Sequence, residues 1–299
     1  MKNHRKNKNG IQKTTPVFLW ISALYRPKIL FGLGKTLAAI FVKFFFYQFQ
    51  TVLFPKTRPV VNIDHPLDEN IPFVPSWVGL YNTFTVFWMK SAGWLLKTFG
   101  REAEDDIAAY VRDIALLYDA AGDVYGKCQS TTNRPSVIAD PNFIIIHIFD
   151  PHLNCVPSLH VMVCAYVGFM TTEIIRKYAD DPSDYQAELD WVHKNALEII
   201  ESVLLVKQHS VNCIPAGYFM MSMLFDSFQE NWASRYMDEM FTDDPKGIKD
   251  APEIMEYIKK LYTRFMNDYR INGDRTQVLL DFLKEYENGN KKIKPVTTE

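Results

Sequence analysis

Six stretches of helical periodicity, separated by prolines and loops, run from residue 29 to residue 228. No convincing pair of strand-like runs and no internal repeat interrupts them. The spacing predicts helices over 29–54, 77–99, 101–124, 158–178, 188–207 and 210–228. Residues 55–75 hold five prolines and read as a loop. Residues 125–157 lack periodicity and carry Pro135, Pro141, Pro151 and Pro157. Long irregular segments of that kind tend to bear function. Beyond residue 228 the chain turns strongly charged, with amphipathic helices expected at 252–270 and 276–287 and a lysine-rich tail. The expected fold class is all-α. It divides into a poorly ordered basic arm over 1–27, a helical bundle over 28–228 and a charged helical extension over 229–299.

Charge and cysteine content narrow the function classes. Charged residues make up 23% of the chain and the net charge is −2, so no nucleic-acid partner is expected. Cys128, Cys155, Cys164 and Cys213 form no C-x-x-C pair, which argues against a zinc site. They read as small buried hydrophobes. The N-terminus is basic through Lys2, Arg5, Lys6, Lys8 and Lys13. The apolar stretch 17–25 is too short to span a bilayer and carries no small-residue cleavage site, so no cleaved signal peptide is expected. Lys28, Lys35 and Lys43 recur at about two-turn spacing and share a helix face, an amphipathic basic pattern suited to a membrane surface or a packed bundle. Runs 71–89 and 153–172 approach spanning length, the first broken by Pro72 and Pro75. The expected location is membrane-associated, with the basic terminus on the cytoplasmic side; the alternative is a soluble cytoplasmic protein.

Three short patterns fall in a fixed order. Lys127 precedes Arg134-Pro135; Pro157-Ser158-Leu159-His160 follows; Ser202 then leads to His209 seven residues on. Two cations, a hydroxyl at a helix start and two histidines suit a phosphoryl pocket that uses no metal. Proline then serine ahead of an apolar run marks Ser158 as an N-cap, and the free N–H groups of that first turn attract anions. His160 lies in the same turn. Arg134 is able to grip two phosphoryl oxygens at once. A nucleophilic histidine needs one ring nitrogen held by an acceptor. On a continuous helix Cys213 stands one turn from His209 but accepts poorly; Asn212 offers its side-chain carbonyl instead.

The ordered set resembles the signature of the type 2 phosphatidic acid phosphatase and vanadium haloperoxidase superfamily, KxxxxxxRP, PSGH and SRxxxxxHxxxD. The PSLH form is similar to the inositol phosphorylceramide synthase-like subgroup. The resemblance covers about residues 28–228. It implies a six-helix bundle with no cofactor, in which vanadate or phosphate serves as inhibitor or ligand. Lys127, Arg134, Ser158 and the Leu159 backbone would bind phosphoryl oxygens. His160 would protonate the leaving group and His209 would attack phosphorus. The third element departs from the family: Val203 replaces its arginine and Cys213 its aspartate. Lys207 is a replacement cation only if the helix ends between it and His209. In serine proteases the loss of the orienting carboxylate costs roughly four orders of magnitude in rate. The implied activity is a phosphatase or phosphotransferase acting on a phosphate monoester or lipid phosphate. The alternative is an impaired member that binds phosphate or lipid headgroups; a haloperoxidase is disfavoured by the depleted cation set.

Overall fold

The computed structural model describes residues 10–135, 140–242 and 247–293. Lys2, Arg5, Lys6 and Lys8 lie outside them. The protein is mostly helical. Twelve helices organise the description: α1 (Val17–Ala23), α2 (Pro27–Leu53), α3 (Phe84–Phe99), α4 (Glu104–Tyr125), α5 (Asn142–Phe149), α6 (Leu159–Tyr178), α7 (Gln186–Leu205), α8 (Cys213–Leu224), α9 (Asp226–Asn231), α10 (Ala233–Glu239), α11 (Ala251–Asn272) and α12 (Arg275–Ile293).

Helix α6 is uncharged from Val161 to Thr172 and apolar on every side there, and a helix of that kind belongs in the middle of a fold. Its consecutive residues Val161 to Val167 are all fully buried, and α3, α4, α7 and α8 surround it. Ser158 caps it as expected, its hydroxyl accepting from the Val161 N–H at 3.4 Å. Helix α2 lies along α4: Lys28 pairs with Asp105, Thr36 donates to the Val111 carbonyl and Lys43 pairs with Asp123. The lysines therefore do not head a separate basic face. Two of them sit at the seam with α4, and the side turned away from the protein is apolar. Residues 40–46 of α2 are π-helical.

Several boundaries differ from the sequence reading for physical reasons. The expected helix 77–99 breaks after the short turn Val78–Tyr81 and restarts at Phe84. The expected helix 210–228 starts only at Cys213 and ends at Leu224, with α9 as a separate piece. Residues 10–26 are not a loose arm: Ile11, Leu19 and Ala23 are fully buried, and α1 packs on α3. Two three-residue strands, β1 (Val60–Asn62) and β2 (Gln129–Thr131), pair in parallel with Val61 opposite Ser130. Strands this short carry too few residues for an alternation signal. Helices α9, α11 and α12 pack onto the bundle. Ile254, Ile258, Leu261 and Phe265 form the buried stripe of α11, each worth about 1.5–3 kcal/mol on burial. Phe265 touches Phe219 of α8 and Phe282 of α12, at ring centroid distances of 5.6 and 5.2 Å.

Candidate functional site

A small ladder gathers segments that are distant in the sequence. β2 pairs with β1 on one side and meets residues 153–155 on the other, through the Ser130–Asn154 bridge and the Cys155 N–H donating to the Ser130 carbonyl at 3.2 Å. From this platform β1 runs into Asp64 and Asp68, β2 runs into Arg134, and the third segment runs into Pro157 and Ser158. The Ser130 hydroxyl accepts from the Val156 N–H at 2.8 Å, and Tyr125 donates its hydroxyl to the Pro157 carbonyl. The start of α6 is thereby held against α4 and the ladder.

His209 arrives from the opposite side, in the break between α7 and α8. Lys207 closes α7 in the left-handed conformation, φ 55°, a position that glycine usually fills. The N–H groups of Gln208 and His209 both turn back to the Val203 carbonyl at 3.1 Å. Asp68 fixes the far side of this turn: its carboxylate accepts from the Val211 N–H and the His65 N–H, both at 2.8 Å. Lys207 donates its ammonium to the Asp68 carbonyl. Gly217 of α8 allows this junction to sit against α6, since a Cβ there would stand 2.7 Å from Val161 Cγ1.

The His160 and His209 rings meet edge to face at 5.7 Å between centroids. His160 is stacked on Tyr81 at 4.1 Å and lies 4.0 Å from Phe84. Its Nε2 and the Nδ1 of His209 are buried without a partner. Burial holds His160 well below the usual imidazole range, with the charge of His209 adding to the effect. Burial also pushes His209 down to about 4, opposed by a backbone hydrogen bond at Cys155 that favours the protonated ring. Both rings are therefore neutral near pH 7, and His209 keeps a lone pair. The acceptor that orients His209 is the Cys155 backbone, not Asn212 or Cys213. Asn212 spends its carbonyl on the Tyr257 hydroxyl and its amide on the Ile63 carbonyl. Cys213 is fully buried at the start of α8, off any helix shared with His209.

Two spaces meet at His209. The inner one, about 10 Å³, is lined by Phe44, Asp150, His152, Asn154, Cys155, Leu159, His160 and His209. It has room for about one water and none for a phosphoryl group. The outer one, about 940 Å³, is bounded by Arg134, Lys207 and His209 at one end, by Asp64, Asp68 and Glu69 beside them, and by Arg264, Phe282, Glu285 and Tyr286 of α11 and α12. The break after Leu205 lets Lys207 and His209 face the same cavity. Arg134 donates to the Asp150 carbonyl at 3.2 Å and to the Gln208 side chain at 3.4 Å. Burial lowers the proton affinity of Lys207, with Asp68 opposing it.

Of the sequence-predicted residues, Arg134, Leu159, His160, Lys207 and His209 thus line one space or the other. Lys127, exposed just past α4, borders neither among the described residues. Ser158 and Ser202 are buried and their hydroxyls are occupied, Ser202 donating to the Ile199 carbonyl. Asp150, His152 and Asp68 are site residues that motif reading missed. His152, 2.7 Å from the Thr132 hydroxyl, is held well below the normal imidazole range by burial and by His209. Burial pushes the Asp150 and Asp68 carboxyls upward. A polar cluster within the proline-bearing run 150–157 was the available signal. Among the described residues no group of three or more His, Cys, Asp or Glu side chains is placed to hold a metal ion. No protein-family model, curated protein or solved structure matches the chain.

Proposed function

We propose that the protein transfers or hydrolyses a phosphoryl group of a phosphate monoester or lipid phosphate at His160 and His209, as a divergent type 2 phosphatidic acid phosphatase-like bundle. In that reading α2, α3, α4, α6, α7 and α8 are the six family helices. The observation that carries the reading is the pairing of two buried neutral histidines at 5.7 Å, with Arg134 and Lys207 on the cavity that reaches His209.

The substrate enters through the outer cavity. Arg134 exchanges its two neutral acceptors for anionic phosphoryl oxygens, which its planar guanidinium is able to grip in a bidentate pair. The Nδ1 lone pair of His209 forms the N–P bond while the P–O bond to the leaving group breaks. His160 gives that oxygen its proton. The approaching phosphoryl anion supplies the charge that raises His160 into a protonated, donating state. A water then gives a proton back to His160 and its oxygen displaces His209 from phosphorus. The Cys155 carbonyl orients the His209 ring but, being neutral, stabilises imidazolium less than a carboxylate would.

A second reading is favoured by the closed inner chamber and by Lys127 standing away from it: a phosphate or lipid-headgroup binder that has lost turnover. Purified protein assayed with p-nitrophenyl phosphate and with phosphatidic acid separates the two. Catalysis requires turnover that His209→Ala abolishes, with labelled phosphate retained after alkaline denaturation and lost in acid. Vanadate binding without turnover or label supports the binder. Neither turnover nor vanadate binding overturns both.

A further inference from the structure

The outward face of α2 points to a lipid surface. The inner side of this 27-residue helix is fixed on the protein through Ile29, Leu33, Thr36, Gln48 and Thr51. The opposite side exposes Phe31, Leu37, Phe41, Phe46, Phe49 and Leu53, each by 40% or more. These fall at three- to six-residue intervals and make one stripe about 33 Å long. Ile21 of the neighbouring α1 and Leu24 just past its end are 56% and 67% exposed. An uncovered apolar surface of this extent is unusual for a soluble monomer and marks an interaction site.

Charge selects the occupant. All 35 acidic residues lie beyond residue 63, while residues 1–63 carry 11 of the 33 lysines and arginines. The apolar stripe thus belongs to a segment that is purely cationic, in a chain whose net charge is −2. An anionic bilayer matches both properties, taking the aromatic stripe into the acyl boundary and the cations among its headgroups. A second copy docked face to face would bring two such cationic segments together. Spanning is opposed by α4, which runs beside α2 and is tied to it at both ends by Lys28–Asp105 and Lys43–Asp123. A spanning α2 would draw Asp105, Asp119 and Asp123 toward hydrocarbon. The other long apolar helix, α6, has 83% of its apolar window buried inside the protein.

We infer that α2 lies in the plane of an anionic membrane, its Phe31–Leu53 face in the interface and the helical body outside. The inference is independent of the phosphoryl chemistry. Flotation of the full chain with vesicles of phosphatidylcholine, with and without phosphatidylglycerol, tests it. Binding is expected only with the anionic lipid, and alkaline carbonate should release the bound protein. The variant Phe31→Ser/Phe41→Ser/Phe49→Ser should bind at least tenfold less with unchanged circular dichroism. Lys35→Glu/Lys56→Glu serves as the second variant and should weaken binding while every apolar residue of the stripe is kept. The inference is overturned if both variants float like wild type, if carbonate fails to release the protein, or if wild type ignores anionic vesicles, as a dimer closed over this stripe would.

Discussion

The neutral, buried state of His209 makes a quantitative claim about acid stability. Its proton affinity is about 4 in the folded protein against an ordinary 6.5. The unfolded chain therefore takes up a proton as the pH falls through 6.5, while the folded chain does not until about 4. Stability from this group is fully present above pH 6.5 and drains away between 6.5 and 4. Between about pH 7.5 and pH 5 the loss is about 2 kcal/mol, since each pH unit across that window is worth about 1.36 kcal/mol. His209→Asn removes the titration and keeps a side chain of similar polarity. Its unfolding free energy should fall by about 2 kcal/mol less than wild type over that range. With a urea slope of about 3 kcal/mol/M, that is a difference of roughly 0.7 M in midpoint change, read by circular dichroism. Asp68 and Asp150 have raised carboxyl values and contribute with the opposite sign, losing stability as pH rises. Both are present in each protein, so the difference between the two profiles reports His209 together with its coupling to His160 and His152. Vanadate bound beside the ring would favour imidazolium and shrink the acid loss of wild type alone. Parallel profiles for wild type and variant would refute the buried neutral histidine, and with it the lone pair that the proposed attack needs.

Other outcomes follow from the same geometry. Vanadate should raise the melting temperature of wild type in a concentration-dependent way; Arg134→Ala should abolish the rise, whereas Lys127→Ala should preserve it. Cys213→Asp should not restore activity but should lower stability by about 3 kcal/mol or more in chemical denaturation, because it buries a carboxylate at a fully enclosed position. Asn212→Ala should cost about 2 kcal/mol by the same measurement, since it strands the Ile63 carbonyl and the Tyr257 hydroxyl. Gly217→Ala should cost about 1–3 kcal/mol and reduce turnover together with stability, because its Cβ would press on Val161 in the first turn of α6.

Long periodic segments were legible. The limits of α6 and its Ser158 cap came directly from a proline-serine pair ahead of an unbroken apolar run. The stripe at 254, 258, 261 and 265 announced α11. What eluded the sequence was placement. The sequence placed one helix end at 207 and the next start at 210 but not the geometry between them: Lys207 takes the left-handed conformation and Asp68 holds the turn from 143 residues away. The acceptor for His209 is a backbone carbonyl, which no residue type signals. Lys127 matched its pattern, but the chain turns into β2 just beyond it and leaves its side chain in solvent. The charged C-terminal segment offered no motif, although Phe282, Glu285 and Tyr286 of α12 form a wall of the outer cavity.

The π-helical stretch at 40–46 settles how α2 tolerates changes of length. Thr36 and Gln48 are both buried, Thr36 against α4 and Gln48 accepting from the Leu153 N–H at 2.9 Å. On a straight α-helix, residues twelve apart point about 120° away from each other. The wider π turns advance by fewer degrees per residue and absorb that difference, about one residue of lag. Phe44, within the stretch, lines the inner chamber and makes that wall part of α2. Deleting one residue between 40 and 46 would let the segment relax to α geometry while both flanking halves kept their buried sides. Deleting one residue between 30 and 38 would instead rotate the lysine seam by about 100° relative to the rest of α2. Length variation in this helix is therefore confined to a single window, and that window opens onto the histidine chamber.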